Sequence, residues 1–532
     1  MVYKRSHTVK CQGKERLFLR LRVGPWWYRK FPRFRGLEVR ALPEGAKVEV
    51  DRSWTKEDFL AAFRRVRRVG KRPAPHVIYN CGPIMGLLAW ERLISREPFD
   101  GCVLFSGWWE GIEDLFRTYE ALGVPFFYRQ PFFLVPKFGV EGALRRMERM
   151  LDLAPTACRG FSVGEAWNGD AVMKWPDFFL RLLELAKRRG KKVEWDEHGR
   201  DGSYGLGWWG WCMEHPEIFV KVFDKRFHDI LVPFHENNDP RSQMPNLGLV
   251  LGVWLQGLVD EWGASVQTWW WNDVGYGPCR TCPPELIGRM MLLYLALGAT
   301  WFEIEPWEMF MTPDERGLPT RSEQWKGFET VYRLLSEGKM RIPRKHEVAS
   351  IAPIGFRLTK GKSGYSIFDP QPWLKRLPPV YAPRRLYSEE TFAEELIPVT
   401  KYGFLPLFAP HAPIPEGFKV FETDGRRLTF EGEEVDLERM EEVVGWETRG
   451  MPFTSPNACV VAWREGRGYK LLLLHPEERE PRELVALVGQ RLKVGIPILR
   501  DEITGEEFKA VGGVANIPLS PRRTFRILRF VN

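Results

Sequence analysis

From residue 76 to about residue 336 the chain repeats one rhythm, and that rhythm limits the folds open to it more than any other feature. A short run of β-branched or aromatic residues is followed by a turn, then by an amphipathic stretch of two to four helical turns. Strands are expected at 76–80, 102–106, 126–130, 160–165, 192–196, 230–235, 264–269 and 300–305. Helices are expected between them, at 84–95, 140–153, 175–189, 247–262 and 285–297. Eight strands alternating with helices over roughly 260 residues have the count and length of a (β/α)8, or TIM, barrel. A doubly wound open sheet is the competing arrangement, but the glycine-rich phosphate turn after its first strand is missing from the sequence.

The flanks read differently, and 532 residues are too many for one ordinary core. Residues 1–70 are basic and aromatic with strand-like pieces, an N-terminal β-rich extension ahead of a barrel domain at 71–345. From 346 to 532 the long helices give way to short apolar or alternating runs broken by Gly, Pro and charged turns. Cys459–Trp463, Tyr469–Leu474 and Thr524–Phe530 are examples, and they predict an all-β accessory domain of the β-sandwich type.

Charge and composition exclude several classes of function. The net charge of +9 is spread along the chain, and the densest basic stretches (Arg64–Arg68 and Lys187–Lys192) sit where helices show their wet faces. A nucleic-acid partner is therefore not expected. No apolar run is long enough for a membrane span and Met1–Arg5 opens no signal peptide, so the chain as written reads as cytoplasmic, or as secreted if an export signal has been removed. Eight cysteines are scattered singly except for Cys279 and Cys282, a lone CxxC that reads as a loop thiol pair or a local disulfide rather than a metal site. No metal and no cofactor is expected.

The 23 tryptophans are the compositional outlier, and they cluster: Trp26-Trp27, Trp108-Trp109, Trp208-Trp209 with Trp211, Trp269–Trp271, and Trp301 with Trp307. Each buried indole N–H needs a partner, so a core uses tryptophan singly. Runs of two or three suit flat platforms along a cleft on which sugar rings stack. An aromatic-heavy, thermostable core is the bland alternative.

Chemistry in such a barrel sits at the C-terminal ends of its strands. There the acids gather. The fourth to eighth strands run into Glu165, then Asp196, then Glu236, then Asp273, then Glu303 and Glu305. Glycosidic cleavage needs such a set: one carboxylic acid protonates the leaving oxygen while another carboxylate attacks the sugar or activates water. Trp167, Asn168, Trp195, Asp196, His235, Asn237, Trp269, Trp271, Glu303 and Trp307 are the expected substrate-binding residues. A metal-dependent hydrolase would use strand-end histidines, often paired as HxH, and the nine histidines include no such pair.

The order of motifs resembles the family 98 glycoside hydrolases over roughly residues 120–360. The resemblance rests on Arg159–Gly169, on Leu251–Gly257 with Trp262-Gly263, on the acids of the eighth strand, and on Leu334–Pro343. It implies a barrel followed by a β-sandwich and an inverting, endo-acting enzyme that cuts internal β-linkages in a glycan of galactoside or xylan type. It further implies that Glu165 is the general acid and that Glu305 belongs to a carboxylate pair acting as general base, with Glu303 its near alternative. The local sequence departs from the family at the sixth and seventh strands, so both Asp273 and Glu236 stand as the partner of Glu305. The family is generally secreted, whereas no signal is visible here. The implied Glu165–Glu305 separation is about 6.5–9.5 Å, with room for a water between them. A non-catalytic carbohydrate-binding barrel, and a transglycosylase or phosphorylase on the same cleft, are the alternative functions.

Overall fold

The structure is a computed structural model. It describes residues 72–108, 112–163, 175–196, 216–236, 240–267, 284–305, 310–313, 319–359, 397–398, 400–423, 427–456, 458–475, 483–488, 498–518 and 524–531, with short strands at 10–11, 14–17, 54–55, 199–200 and 203–204. Eight parallel strands close into a barrel in sequence order. They are β1 (His76–Asn80), β2 (Asp100–Ser106), β3 (Phe126–Arg129), β4 (Cys158–Ser162), β5 (Lys192–Asp196), β6 (Leu231–Glu236), β7 (Gly263–Gln267) and β8 (Trp301–Glu305). A helix follows each: α1 (Pro83–Arg92), α2 (Ile112–Leu122), α3 (Val135–Leu153), α4 (Pro176–Arg189), α5 (Pro216–Val222), α6 (Pro240–Leu255), α7 (Pro284–Ala296) and α8 (Trp325–Ser336). The fold expected of the central region is the one observed.

The chain forms two compact units, one of residues 1–163, 177–193 and 303–323 and the other of 164–176, 194–302 and 324–532. In the first, the strands are apolar on both faces because each lies between the barrel interior and a helix. All four residues of β3 are buried. α2 buries Ile112, Phe116, Tyr119 and Leu122, a single stripe at helical spacing, and Phe116 stacks on Phe126 with centroids 5.9 Å apart. The basic stretch after 186 closes α4, where cations suit the carbonyl end of a helix. There Arg189 pairs with Asp152 at 2.8 Å, so part of the sequence's positive charge is matched on the surface.

In the second unit, α7 is buried from Leu286 to Ala296, as expected of a helix apolar on all sides. It packs against α8 and against two strands of the C-terminal region, β15 (Cys459–Glu465) and β16 (Gly468–Leu474). Arg289 is the exception in that apolar helix, and its guanidinium donates to the His475 carbonyl at 2.5 Å.

Among the described residues a two-stranded hairpin, Met311–Pro313 with Pro319–Arg321, and then three larger sheets follow the barrel. A mixed sheet contains β9 (Ile354–Leu358), which pairs in parallel with β10 (Leu407–Phe408) and β11 (Lys419–Thr423), and is extended by β12 (Leu428–Phe430) and β13 (Glu433–Glu434). A three-stranded antiparallel sheet joins β14 (Phe453–Thr454), β17 (Glu483–Val488) and β20 (Val514–Pro518). A five-stranded antiparallel sheet runs β15, β16, β21 (Phe525–Val531), β18 (Ile498–Asp501) and β19 (Glu507–Lys509). Phe453 and Ile517 from the smaller sheet share one buried cluster with Val460, Leu471, Leu499 and Leu528 from the larger.

Two sequence expectations need correcting. The C-terminal region is not all β, because Leu437–Thr448 forms a helix, α9. Asp436 caps it by accepting from the Arg439 N–H at 2.8 Å, and Met440, Val443, Val444 and Thr448 form its buried face. The helix expected at 247–262 lies at 240–255 instead. Pro240 suits a first turn, and Gly257, at φ +71°, takes a left-handed conformation that ends the helix.

Candidate active site

Arg129 is the last residue of β3. Gln130 follows in a left-handed conformation (φ 55°), so the chain turns at once into the short helical turn Pro131–Leu134. The turn leaves the Arg129 side chain on the barrel strand, only 6% exposed. A buried guanidinium demands anions, and β8 supplies two. Glu303 and Glu305 alternate with Phe302 and Ile304 and so share one face of the strand. One terminal nitrogen of Arg129 donates to the Glu303 carboxylate at 2.9 Å and also to Glu305.

Burial alone would raise the Glu305 carboxyl. The Arg129 charge, with side-chain hydrogen bonds from Glu303, Arg129 and Asn80, outweighs it and holds Glu305 below the ordinary carboxylate range. The last strand of the barrel thus ends in a buried carboxylate, Glu305, that shares the Arg129 guanidinium with Glu303. Such a carboxylate can accept a proton from water or attack an electrophilic carbon.

In the second unit, β5 carries Glu194 and Asp196 on one face, both fully buried. Trp195 lies on the other face of the strand. It is fully buried and stacks on Phe223 with centroids 6.1 Å apart and planes 18° apart. The expectation of a platform at Trp195 is corrected, because strand alternation that turns two acids one way turns the tryptophan between them into the helix layer. His235 on β6 is 1% exposed and meets Tyr294 edge-on at 5.3 Å. Burial pushes its imidazole down to about 3, so it is neutral at physiological pH.

Glu165, Trp167, Asn168, Asn237, Trp269, Trp271, Asp273 and Trp307 lie outside the described residues, as do Cys279 and Cys282; the backbone of Glu236 is described as the last residue of β6. The structure adds Arg129 and Asn80 to the strand-end acids. The signal was available for both, since Asn80 and Arg129 end their strands.

Some of the motifs that carried the family resemblance do architectural work. In Leu251–Gly257, a Cβ on Gly252 would stand 1.8 Å from the Leu407 carbonyl oxygen, so only glycine lets α6 approach β10. The Gln256 side chain accepts from the Ala409 N–H at 2.8 Å and donates to the Ala409 carbonyl at 3.1 Å. In Leu334–Pro343, Arg341 binds Glu347 at 2.6 Å and Glu465 at 3.1 Å, tying the end of α8 to β15.

No protein-family model matches the chain, and no curated protein matches it. Among solved structures it is similar to the catalytic module of a family 98 glycoside hydrolase from Streptococcus pneumoniae TIGR4 in complex with the H-disaccharide blood group antigen. The identity is 15%, the match covers 79% of this chain and 76% of that one, and the TM-score is 0.52. A second structure of a family 98 catalytic module from the same organism, in complex with the LewisY pentasaccharide blood group antigen, matches at 13% identity over 87% and 100% of the two chains, with TM-score 0.51. At these identities the likeness is one of fold.

Proposed function

We propose that this chain is an inverting, endo-acting glycoside hydrolase that cleaves internal β-linkages in a polysaccharide or complex glycan of galactoside or xylan type. The observation that carries the reading is Glu305, a buried carboxylate held ionised by Arg129 and Asn80 at the C-terminal end of the last barrel strand, where this architecture does its chemistry. The likeness in fold to glycosidase modules solved with oligosaccharides supports it.

In this reading Glu165 protonates the glycosidic oxygen as the bond to the anomeric carbon breaks. Glu305, with Asp273 or Glu236 beside it, takes a proton from the water whose oxygen forms the new bond on the opposite face of the sugar. Arg129 keeps Glu305 charged before the substrate arrives. Glu303, Asp196, His235 and the tryptophans of the strand-end loops serve the sugar rings, Trp195 excepted.

Incubation with a panel of plant and animal polysaccharides tests this. Wild type is expected to release oligosaccharides whose anomeric configuration, read by NMR at early times, is inverted. Glu165→Gln is expected to lose about 10²–10⁴-fold in rate. Glycan binding with no release by either protein would overturn the hydrolase and leave a carbohydrate-binding barrel.

A further inference from the structure

Phe133 is 67% exposed, and among the described residues of the first unit it is the one large apolar side chain so exposed. It sits in the turn Pro131–Leu134, four residues after Arg129, and therefore within ~14 Å of it along the chain. The turn is well packed around it. Phe132 and Leu134 on either side are 2% and 4% exposed, and Phe132 packs edge-on to Phe178 at 5.2 Å. The Phe133 N–H donates to the Gln130 carbonyl at 3.1 Å, and Gln130 itself holds a left-handed conformation. Buried neighbours and a fixed backbone thus present one aromatic ring to solvent on the loop that leaves the Arg129 strand.

We infer that Phe133 is a stacking subsite for a sugar residue at the rim of the catalytic cleft, which rests on the hydrolase reading given above. The ring has the dimensions of one pyranose face. A lone exposed phenyl is too small for a protein-docking patch, which needs several hundred Å² of contiguous apolar surface. Its position on the loop after β3 makes it continuous with the end of the barrel where Glu305 lies. A flat ring met by the C–H face of a sugar extends recognition beyond the residue being cleaved, as an endo-acting enzyme requires. The subsite is selective for face shape rather than for hydroxyl pattern, because a phenyl ring offers no hydrogen bond.

The test uses the full-length Glu165→Gln chain, which leaves the glycan intact, titrated calorimetrically with the oligosaccharide that wild type cleaves. Adding Phe133→Ala is expected to weaken binding about tenfold. Phe133→Leu, which keeps apolar bulk but removes the flat face, is expected to weaken it comparably, and Phe133→Trp to restore it. If wild type cleaves the glycan and all three substitutions bind it equally well, the subsite is wrong and the hydrolase reading stands. If Leu binds as well as Phe, stacking is wrong even where Ala is weaker. If the parent chain neither binds nor cleaves any glycan, both readings fall together.

Discussion

Arg129, Glu303 and Glu305 are ionisable groups in the wall of a packed barrel, and each is tolerable only because the others are present. Removing water from an ion costs several kcal/mol, and a guanidinium shared between two carboxyls recovers that cost through short, charge-assisted hydrogen bonds. His235 solves the same problem by staying neutral. Its folded form resists protonation until about pH 3, whereas the unfolded chain takes up a proton below about 6.5. Stability from this group is therefore complete above about pH 6.5 and is lost progressively as the pH falls toward 3. Urea unfolding at pH 6.5 and pH 5.0 should show wild type losing about 2 kcal/mol more than His235→Gln, which has no imidazole to charge. Equal losses in the two proteins would mean that His235 is not buried neutral. At this scale the sequence was legible where chemistry names the residue type. Acids at strand ends were found because glycosidic cleavage demands acids. Arg129 and Asn80 were missed because the first three strands end in no acid, although they belong to the same barrel. Trp195 was read as a platform because it stands among the acids at the end of the fifth strand, while the one-in-two alternation along β5 sends it away from Glu194 and Asp196.

All eight barrel strands were legible as elements because each is a short apolar run that ends in turn residues, with a longer amphipathic stretch after it. Helix limits were harder where propensity and packing disagree. The run 247–262 is apolar enough to continue as a helix, but Gly257 breaks it, and residues 256–262 become the connection into β7. The α9 helix went unseen because its surroundings are strand and turn, although Asp436 followed by Leu437-Glu438-Arg439 is a capping signal. Gly252 shows how an element carries function it does not perform. Substituting Gly252→Ala drives a methyl group against the Leu407 carbonyl and should cost about 1–3 kcal/mol, seen as a lower thermal midpoint. The same change at Gly338, where nothing lies within 4 Å of the added carbon, serves as a control for left-handed strain without a clash. Equal effects at the two positions would remove close approach as the reason for glycine at 252.

At the scale of the whole molecule, the second unit packs its barrel helices against the sheets that follow them. α7 is buried against β15 and β16, while α6 holds the chain around β10 through Gly252 and Gln256. Elements of the second unit that carry no strand-end acid thereby fix the helices behind the strands that do. Tryptophan abundance pointed to sugars at this scale, and the fold agrees with glycosidase modules, but composition could not separate core from cleft, as Trp195 and the fully buried Trp262, Trp325 and Trp463 show. The central claim is that Glu305 acts as the ionised catalytic carboxylate. Its most direct test is the initial rate of reducing-end release by wild type and Glu305→Gln on the same glycan, with circular dichroism confirming that both are folded. The account predicts a loss of about 10²–10⁴-fold with glycan binding retained. A folded Glu305→Gln protein that hydrolyses its glycan within a few-fold of the wild-type rate would contradict it.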